Sequence, residues 1–398
     1  MNKDKIFAAF SALTKIGLGG VIFFIPISNA LIELFAGLAF LGFAGKKIIK
    51  PDFQWLKTKQ NIFLALFFFF MGLSLINSGQ YINKSLVALF LKWGEYIGLS
   101  LILQDSISKR KDILIFVGIF LFSAALVGIS GVTQLFWGVE FLRGRNAIVM
   151  GSGAKAITSS FSYYNGLGAY LIVPFMLCVA FLKAPSVFRK KSYYLILILG
   201  IILAFCTFHT YSRGAWIGVL GSLFLMLLIS RRLNVLLTLI LFLTVIFLFS
   251  VFRNRLFFIF QLGGDADRFK YWQAAISMFK ENPFLGKGLG TFMAHFAKYL
   301  PGTYISYAHN CFLQILAESG IFSLIAFLGF VCSVLYTGIR RFLSVRDPVL
   351  LGGICGLAGF LIHSFFEVSL YSLSLAVLFW LWLGMVAVLG SGRISEDS

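Results

Sequence analysis

The sequence predicts an all-α polytopic membrane protein with about twelve transmembrane helices and one large extracytoplasmic loop. Three observations carry that prediction. Hydrophobic residues make up 59% of the 398 and charged residues only 12%, about half the charged share of a soluble domain. Phe alone occurs 47 times, and mean hydropathy is +0.92. Apolar runs near the length a bilayer crossing needs, about 20 residues, recur at roughly 6–26, 28–45, 61–79, 86–104, 113–136, 161–182, 194–210, 214–230, 235–252, 310–338, 349–367 and 371–390.

The first two runs are divided only at Pro26-Ile-Ser-Asn29. Lys3 and Lys5 precede them, and Ser28-Asn-Ala30 weakly resembles a cleavage site. The first run is too long for a signal sequence and Lys15 interrupts it, so it is read as an uncleaved span. The stretch 194–230 would be about 55 Å long as one helix, against about 30 Å of hydrocarbon, so it must be two helices with Arg213 at the turn. Nothing repeats at a period of 20–50 residues, and the polar tail 391–398 is expected to add no domain. The whole chain, 1–398, reads as a single integral membrane domain, with the loop 253–309 inserted between spans nine and ten.

Net charge is +19. The cations are scattered between spans and form no contiguous patch, which argues against nucleic acid. Counted on alternate sides, the short loops carry 20 Lys and Arg on one face and 5 on the other. The richer face is therefore cytoplasmic and both termini face inward. The loop 253–309 then lies outside with 7 further cations. That runs against the bias and suggests a task at the outer surface. Cys178, Cys206, Cys311, Cys332 and Cys355 lie in or beside apolar runs with no CxxC pair, and read as small core residues rather than metal ligands.

Within the loop, Phe269, Trp272, Ile276 and Phe279 recur at helical spacing and predict an amphipathic helix over 268–281. Asp265 and Asp267 suit its N-terminus, and Asn282-Pro283 ends it. An apolar face on such a helix can lie along the membrane interface. Gly286, Gly288 and Gly290 predict a tight turn.

Several polar residues are candidates for chemistry. Arg213 is either a snorkelling surface residue or an anion ligand, since its planar fork suits phosphate. Arg268 opens the loop helix, where it can bind phosphate or pair with Asp265 or Asp267. His309 is interfacial or a general base, because an imidazole titrates near neutral pH. Asn310 follows it, and Tyr211, Lys287 and His295 are possible supporting residues. Glu318, within a predicted span, is a functional candidate by default, and Glu33 and Glu95 follow with weaker context. Arg143, Arg145 and Lys155 can add to an anion-attracting funnel. His363 and Glu367 stand four residues apart and read as structural or supporting.

Together, Tyr211-Ser-Arg213-Gly-Ala-Trp216, Arg268-Phe-Lys-Tyr-Trp272, Asn282-Pro-Phe-Leu-Gly-Lys-Gly-Leu-Gly-Thr-Phe292 and His309-Asn310 with Gly320 further on resemble the O-antigen ligase and polymerase family. Ser323 stands where the ligase pattern has Gly or a Thr-like residue, so ligase and polymerase both stay open. The resemblance implies an all-helical membrane glycosyltransferase of the C-type fold, at the bacterial inner membrane. Its donor would be a glycan on undecaprenyl diphosphate and its acceptor a lipid A–core hydroxyl, at the periplasmic face. The family's functional residues carry over as Arg213, Arg268 and His309, with no metal and no cofactor. Asp265-Ala-Asp267 matches the DxD metal pattern of other glycosyltransferases, but helix capping accounts for it. A secondary transporter is the reading from another class, and the missing repeat argues against it.

The charge count makes a topological prediction. Reporter fusions after Lys57, Lys109, Lys190 and Arg341 are expected to report cytoplasm, and one at Gly288 the outside. A cytoplasmic Gly288 would remove the basis for a diphosphate site at that surface.

Overall fold

The computed structural model describes residues 3–150, 153–184, 190–230, 266–302 and 306–394. The predicted span at 235–252, the loop cations Arg253 and Arg255, and Asp265 lie outside them, as does the side chain of Asp267. Among the described residues, eight helical stretches are long and apolar enough to cross a membrane.

Elements follow the apolar runs closely. Helices α1 (Lys3–Phe24) and α2 (Asn29–Ile49) form the first hairpin, turning at the predicted Pro26–Asn29 break. Helix α3 (Lys59–Leu73) ends in a 3-10 segment, Ser74–Tyr81, where Gly79 takes φ 50°. The chain then runs through α4 (Ile82–Val87) and a π turn into α5 (Gly94–Ser106). Helices α6 (Arg110–Trp137), α7 (Tyr164–Leu182), α8 (Lys190–His209) and α9 (Arg213–Ser230) follow. The loop contributes α10 (Ala266–Glu281) and α11 (Phe292–Tyr299). Helices α12 (Cys311–Val345), α13 (Pro348–His363) and α14 (Leu373–Gly390) complete the described chain.

Close helix approach is built on small residues, as expected where lipid removes the hydrophobic drive between spans. A Cβ on Gly17 of α1 would stand 2.5 Å from the Ala39 nitrogen of α2, so the two backbones touch there. Aromatic rings fill the centre: Phe67 meets Trp93 at 5.5 Å and Phe327 at 5.3 Å, and Phe330 stacks on Trp380 at 5.8 Å. The outward side chains are also apolar, with Leu41 59% and Ile198 54% exposed, as a lipid-facing surface requires. Cys332 is exposed on this surface, which corrects the reading of all five cysteines as core; the other four are buried.

Ion pairs brace one end of the bundle. Lys15 pairs with Asp112 at 2.6 Å, Lys46 and Lys47 with Asp105, and Arg110 grips Asp347 through both nitrogens at 2.5 and 2.9 Å. All these loops belong to the cation-rich face of the sequence count. The poorer loops gather at the opposite end.

The loop docks on that opposite end through a break in α12. At 35 residues, α12 would be about 52 Å long unbroken, but Gly320 interrupts it with φ 78° and ψ −178°. The glycine turn fits this break. The Lys287 nitrogen donates to the Ala317 oxygen at 2.9 Å, Gly288 to Glu318 at 3.0 Å, and Ile321 to Pro283 at 2.9 Å. A Cβ at Gly320 would stand 2.1 Å from the Phe284 oxygen, and one at Gly286 (φ 68°) would stand 2.3 Å from the Glu318 carbonyl carbon. Both positions therefore require glycine twice over, for conformation and for space. Glu318, placed inside a span by the sequence, lies before the break. It is 1% exposed, and its carboxylate accepts from the Gly290 and Phe292 nitrogens at 2.9 and 3.2 Å and from Gln314 at 3.0 Å. Asn77 and Ser85 grip the other side of the turn through the Gly286 and Leu289 carbonyls, each at 2.7 Å.

Helix α10 forms as its pattern predicts, but a different face is held by protein. Tyr271, Ala274, Ala275 and Met278 are buried against α11 and α12. Phe269 and Ile276, from the predicted apolar stripe, stay 48% and 39% exposed. Ala274 and Ala275 let α10 sit close to α12, while Phe269 and Ile276 turn away from it.

Gly320→Ala is expected to destabilise the protein by several kcal/mol, since a backbone clash adds to a positive φ. Thermal unfolding in detergent measures it, and an unchanged midpoint would show that the turn does not hold the loop. Gly37→Ala, where an added Cβ meets nothing within 4 Å, serves as the control.

Candidate functional site

At the loop-bearing end, three segments converge on Glu367. It sits between α13 and α14, and its side chain is 15% exposed. Arg268 Nη2, from the first turns of α10, donates to Oε1 at 2.9 Å. Asn165 Nδ2, at the start of α7, donates to the same oxygen at 2.6 Å. His309 Nδ1 lies 3.1 Å from Oε2. Burial works to raise the Glu367 carboxyl, but the His309 hydrogen bond and the Arg268 charge outweigh it and hold the group below its usual value, as an anion.

A carboxylate on Nδ1 fixes the tautomer of His309: the proton sits there, and Nε2 is left as the acceptor. A hydroxyl, Ser306 Oγ, already stands 3.1 Å from Nε2. Tyr271 packs on the ring at 5.6 Å between centroids. The His309 backbone has φ 48° and Tyr211 has φ 54°, two of four non-glycine residues with positive φ among those described. Such conformations cost on the order of 1–3 kcal/mol each and persist where the surroundings enforce them. Here Asn310 does so: its side chain caps α12 by accepting from the Phe312 and Leu313 nitrogens at 2.9 and 3.0 Å. The Cys311 nitrogen then donates to the Ser364 oxygen at 2.9 Å, tying this start to the Glu367 segment.

Arg213 begins α9 after the sharp Thr210–Ser212 turn, where the Ser212 nitrogen donates to Thr210 Oγ1 at 3.1 Å. Arg213, Arg268, Glu367, Tyr211, Asn165 and Tyr164 line one small polar pocket. The structure thus brings both arginines and the Tyr211 backbone turn to one place, with His309 attached through Glu367.

His363 also lines that pocket, while Glu318, Lys287 and His295 stand apart from it. Glu318 anchors the glycine turn. Lys287 pairs with Glu281 at 2.5 Å, and Lys298 joins at 3.1 Å. Hydrogen bonds from Lys287, then Tyr299 and Lys298, pull the Glu281 carboxyl down to about 2. His295 faces Tyr81 at 5.5 Å; burial first, then the Lys287 and Lys298 charges, hold it below the usual imidazole value, so it stays neutral. Arg143 and Arg145 lie on a loop folded around buried Glu140, which accepts from their backbone nitrogens at 2.8 and 3.0 Å. Among the described residues, no cluster of His, Cys, Asp and Glu could hold a metal ion.

Sequence reasoning gave Glu367 only a supporting role and missed Asn165. A sign of the first was present, since a short loop with one carboxylate and no cation faces a surface rich in arginine. Asn165 carried no such sign, because an Asn at the start of an apolar run reads as a helix end. The predicted pairing of Arg268 with Asp265 or Asp267 falls outside the described side chains, and Glu367 is the carboxylate the structure gives it.

Helical spans around a polar site, with two arginines and a histidine paired to a carboxylate, describe a multi-pass membrane protein whose site carries groups suited to an anionic ligand. Residues 197–328 match the family model described as O-Antigen ligase, the family the motifs resemble. That stretch is similar to the O-antigen ligase family, whose members are membrane glycosyltransferase-like enzymes. The match spans Arg213, Arg268, His309 and Glu318, while Asn165 and Glu367 lie outside it. No curated protein matches the chain.

If Glu367 orients His309, Glu367→Gln is expected to slow transfer tenfold or more, since an amide no longer fixes the imidazole tautomer. Initial rates on purified protein test this. A rate within twofold of the parent would show that the imidazole is held without the carboxylate.

Proposed function

We propose that the protein is an O-antigen ligase. It moves a glycan from undecaprenyl diphosphate to a sugar hydroxyl of lipid A–core, at the periplasmic face of the bacterial inner membrane, with both termini cytoplasmic. The observation that carries this reading is the Glu367 carboxylate joining Arg268 to His309 beside the Arg213 pocket. The large loop 253–309 would stand in the periplasm, on a single membrane domain of about twelve spans.

Arg213 and Arg268 hold the diphosphate by charge-assisted hydrogen bonds, which strengthen as the leaving group gains charge. His309 Nε2 takes the proton of the acceptor hydroxyl as its oxygen attacks the anomeric carbon. The new carbon–oxygen bond forms as the bond to the diphosphate breaks, and the electron pair leaves with the phosphate. A single displacement inverts the linkage. Glu367 keeps the proton on Nδ1 and stabilises the imidazolium that forms. No step requires a metal or cofactor. An O-antigen or exopolysaccharide polymerase would share this chemistry, with a growing chain as acceptor.

The test is donor binding and initial transfer rate on the same purified variants, in EDTA, with lipid A–core and glycan-chain acceptors in parallel. Arg213→Ala and Arg268→Ala are expected to weaken donor binding and slow transfer, and Lys replacements to restore only part, since Lys keeps the charge and loses the fork. His309→Ala is expected to bind donor and lose about 10²–10⁴-fold in rate. Poor donor binding by His309→Ala with normal transfer at saturation would make it a binding residue. Loss of activity in EDTA, restored by Mg²⁺, would overturn the metal-free mechanism.

A further inference from the structure

A second cavity, of about 260 Å³, adjoins the arginine pocket and shares Asn165, His363 and Glu367 with it. Its other walls come from the α1–α2 turn, the segment before α7 and the segment leading into α14. Arg143 adds one cation at the lining, and Ser28, Asn29, Ser162 and Ser372 give these walls hydroxyl and amide groups. Such groups both donate and accept, which is what sugar hydroxyls require. Phe161 and Tyr163 supply aromatic rings for the C–H face of a sugar, and Tyr163 is braced by stacking on Tyr164 at 4.5 Å.

The shared wall holds an unmet polar atom. His363 is fully buried. Its Nδ1 meets Ser369 Oγ at 3.1 Å, while Nε2 has no hydrogen-bond partner among the described residues. A buried polar atom left in this state calls for a partner, and both cavities border this side chain.

We propose that this cavity is a monosaccharide subsite that selects the sugar next to the reacting bond. The inference rests on the diphosphate reading of the arginine pocket and adds to it. A glycan whose diphosphate lies in that pocket has its first ring beside the shared wall. A volume below the roughly 300 Å³ at which drug-sized ligand pockets begin admits one ring rather than a chain. The subsite is built from segments outside residues 197–328, so sugar choice is separated in sequence from diphosphate and proton handling.

The experiment uses the full chain in nanodiscs with two kinds of probe: a bare prenyl diphosphate, and the same lipid carrying one hexose, N-acetylhexosamine or uronic acid. Ser372→Trp and Ser162→Trp place bulk in the cavity from exposed positions, and thermal unfolding confirms that each variant folds. The parent is expected to bind one sugar-bearing probe at least tenfold more tightly than the bare lipid. Both variants are expected to lose that tenfold and to keep bare-lipid binding. If probe binding is unchanged but KM for the acceptor rises tenfold, the ring is the acceptor's and the donor-sugar assignment is overturned. If the variants change neither, the subsite is wrong. Arg213→Ala reads the underlying assignment separately: undiminished bare-lipid binding would remove the diphosphate reading whatever the cavity variants do.

Discussion

A carboxylate shut away from bulk water must collect donors, and this requirement organises the loop-bearing end of the protein. Leaving such an anion unpaired costs several kcal/mol. Three glutamates meet the requirement in the same way, each drawing distant backbone or side chains around itself. Glu140 folds the 138–150 segment by accepting from Ser130, Leu142, Arg143 and Arg145. Glu318 fixes the glycine turn on the α12 break. Glu367 joins α7, α10 and the start of α12. Local helix propensity cannot specify how loops meet at the end of a bundle. Buried anions can, because only one arrangement satisfies each.

The division of labour follows from depth. Glu318 and Glu140 are each 1% exposed, and the contacts around Glu318 are mostly backbone donors, which cannot exchange for a ligand. Glu367 is shallower and bound by side chains. Arg268, its partner, is 27% exposed, so its guanidinium remains reachable from solvent. A pocket pairing cations with one carboxylate keeps its shape before substrate arrives and still favours an anion, since Arg213 adds a second positive charge.

Most of the fold was legible because bilayer thickness limits helix length. The too-long run at 194–230 had to be split, and the turn falls at Arg213, where α9 begins. The α1–α2 break at Pro26 was legible for the same reason. The α12 break was not, because Leu, Ile and Phe continue on both sides of Gly320 and hydropathy shows no interruption. Only the partner surface reveals it: Gly286 and Gly320 each leave room for the other segment. The site divides similarly. Arg213, Arg268 and His309 announce themselves as costly charges or titratable groups at span ends. Glu367 and Asn165 matter through three-dimensional proximity, and hydropathy carries no information about that.

The positive-φ backbones of Tyr211 and His309 connect these points. Each residue follows or precedes a span end, and each is held by neighbours that cannot easily relax: the Thr210–Ser212 turn for one, the Asn310 cap and the Ser364 latch for the other. A relaxed backbone at His309 would swing the imidazole from Glu367 and release the tautomer. A relaxed turn at Tyr211 would move the start of α9 and Arg213 with it. The folding energy gathered by the buried carboxylates and caps therefore holds two strained residues in place, Tyr211 lining the arginine pocket and His309 on the Glu367 carboxylate beside it. This explains why the polar contacts at the loop-bearing end are so dense.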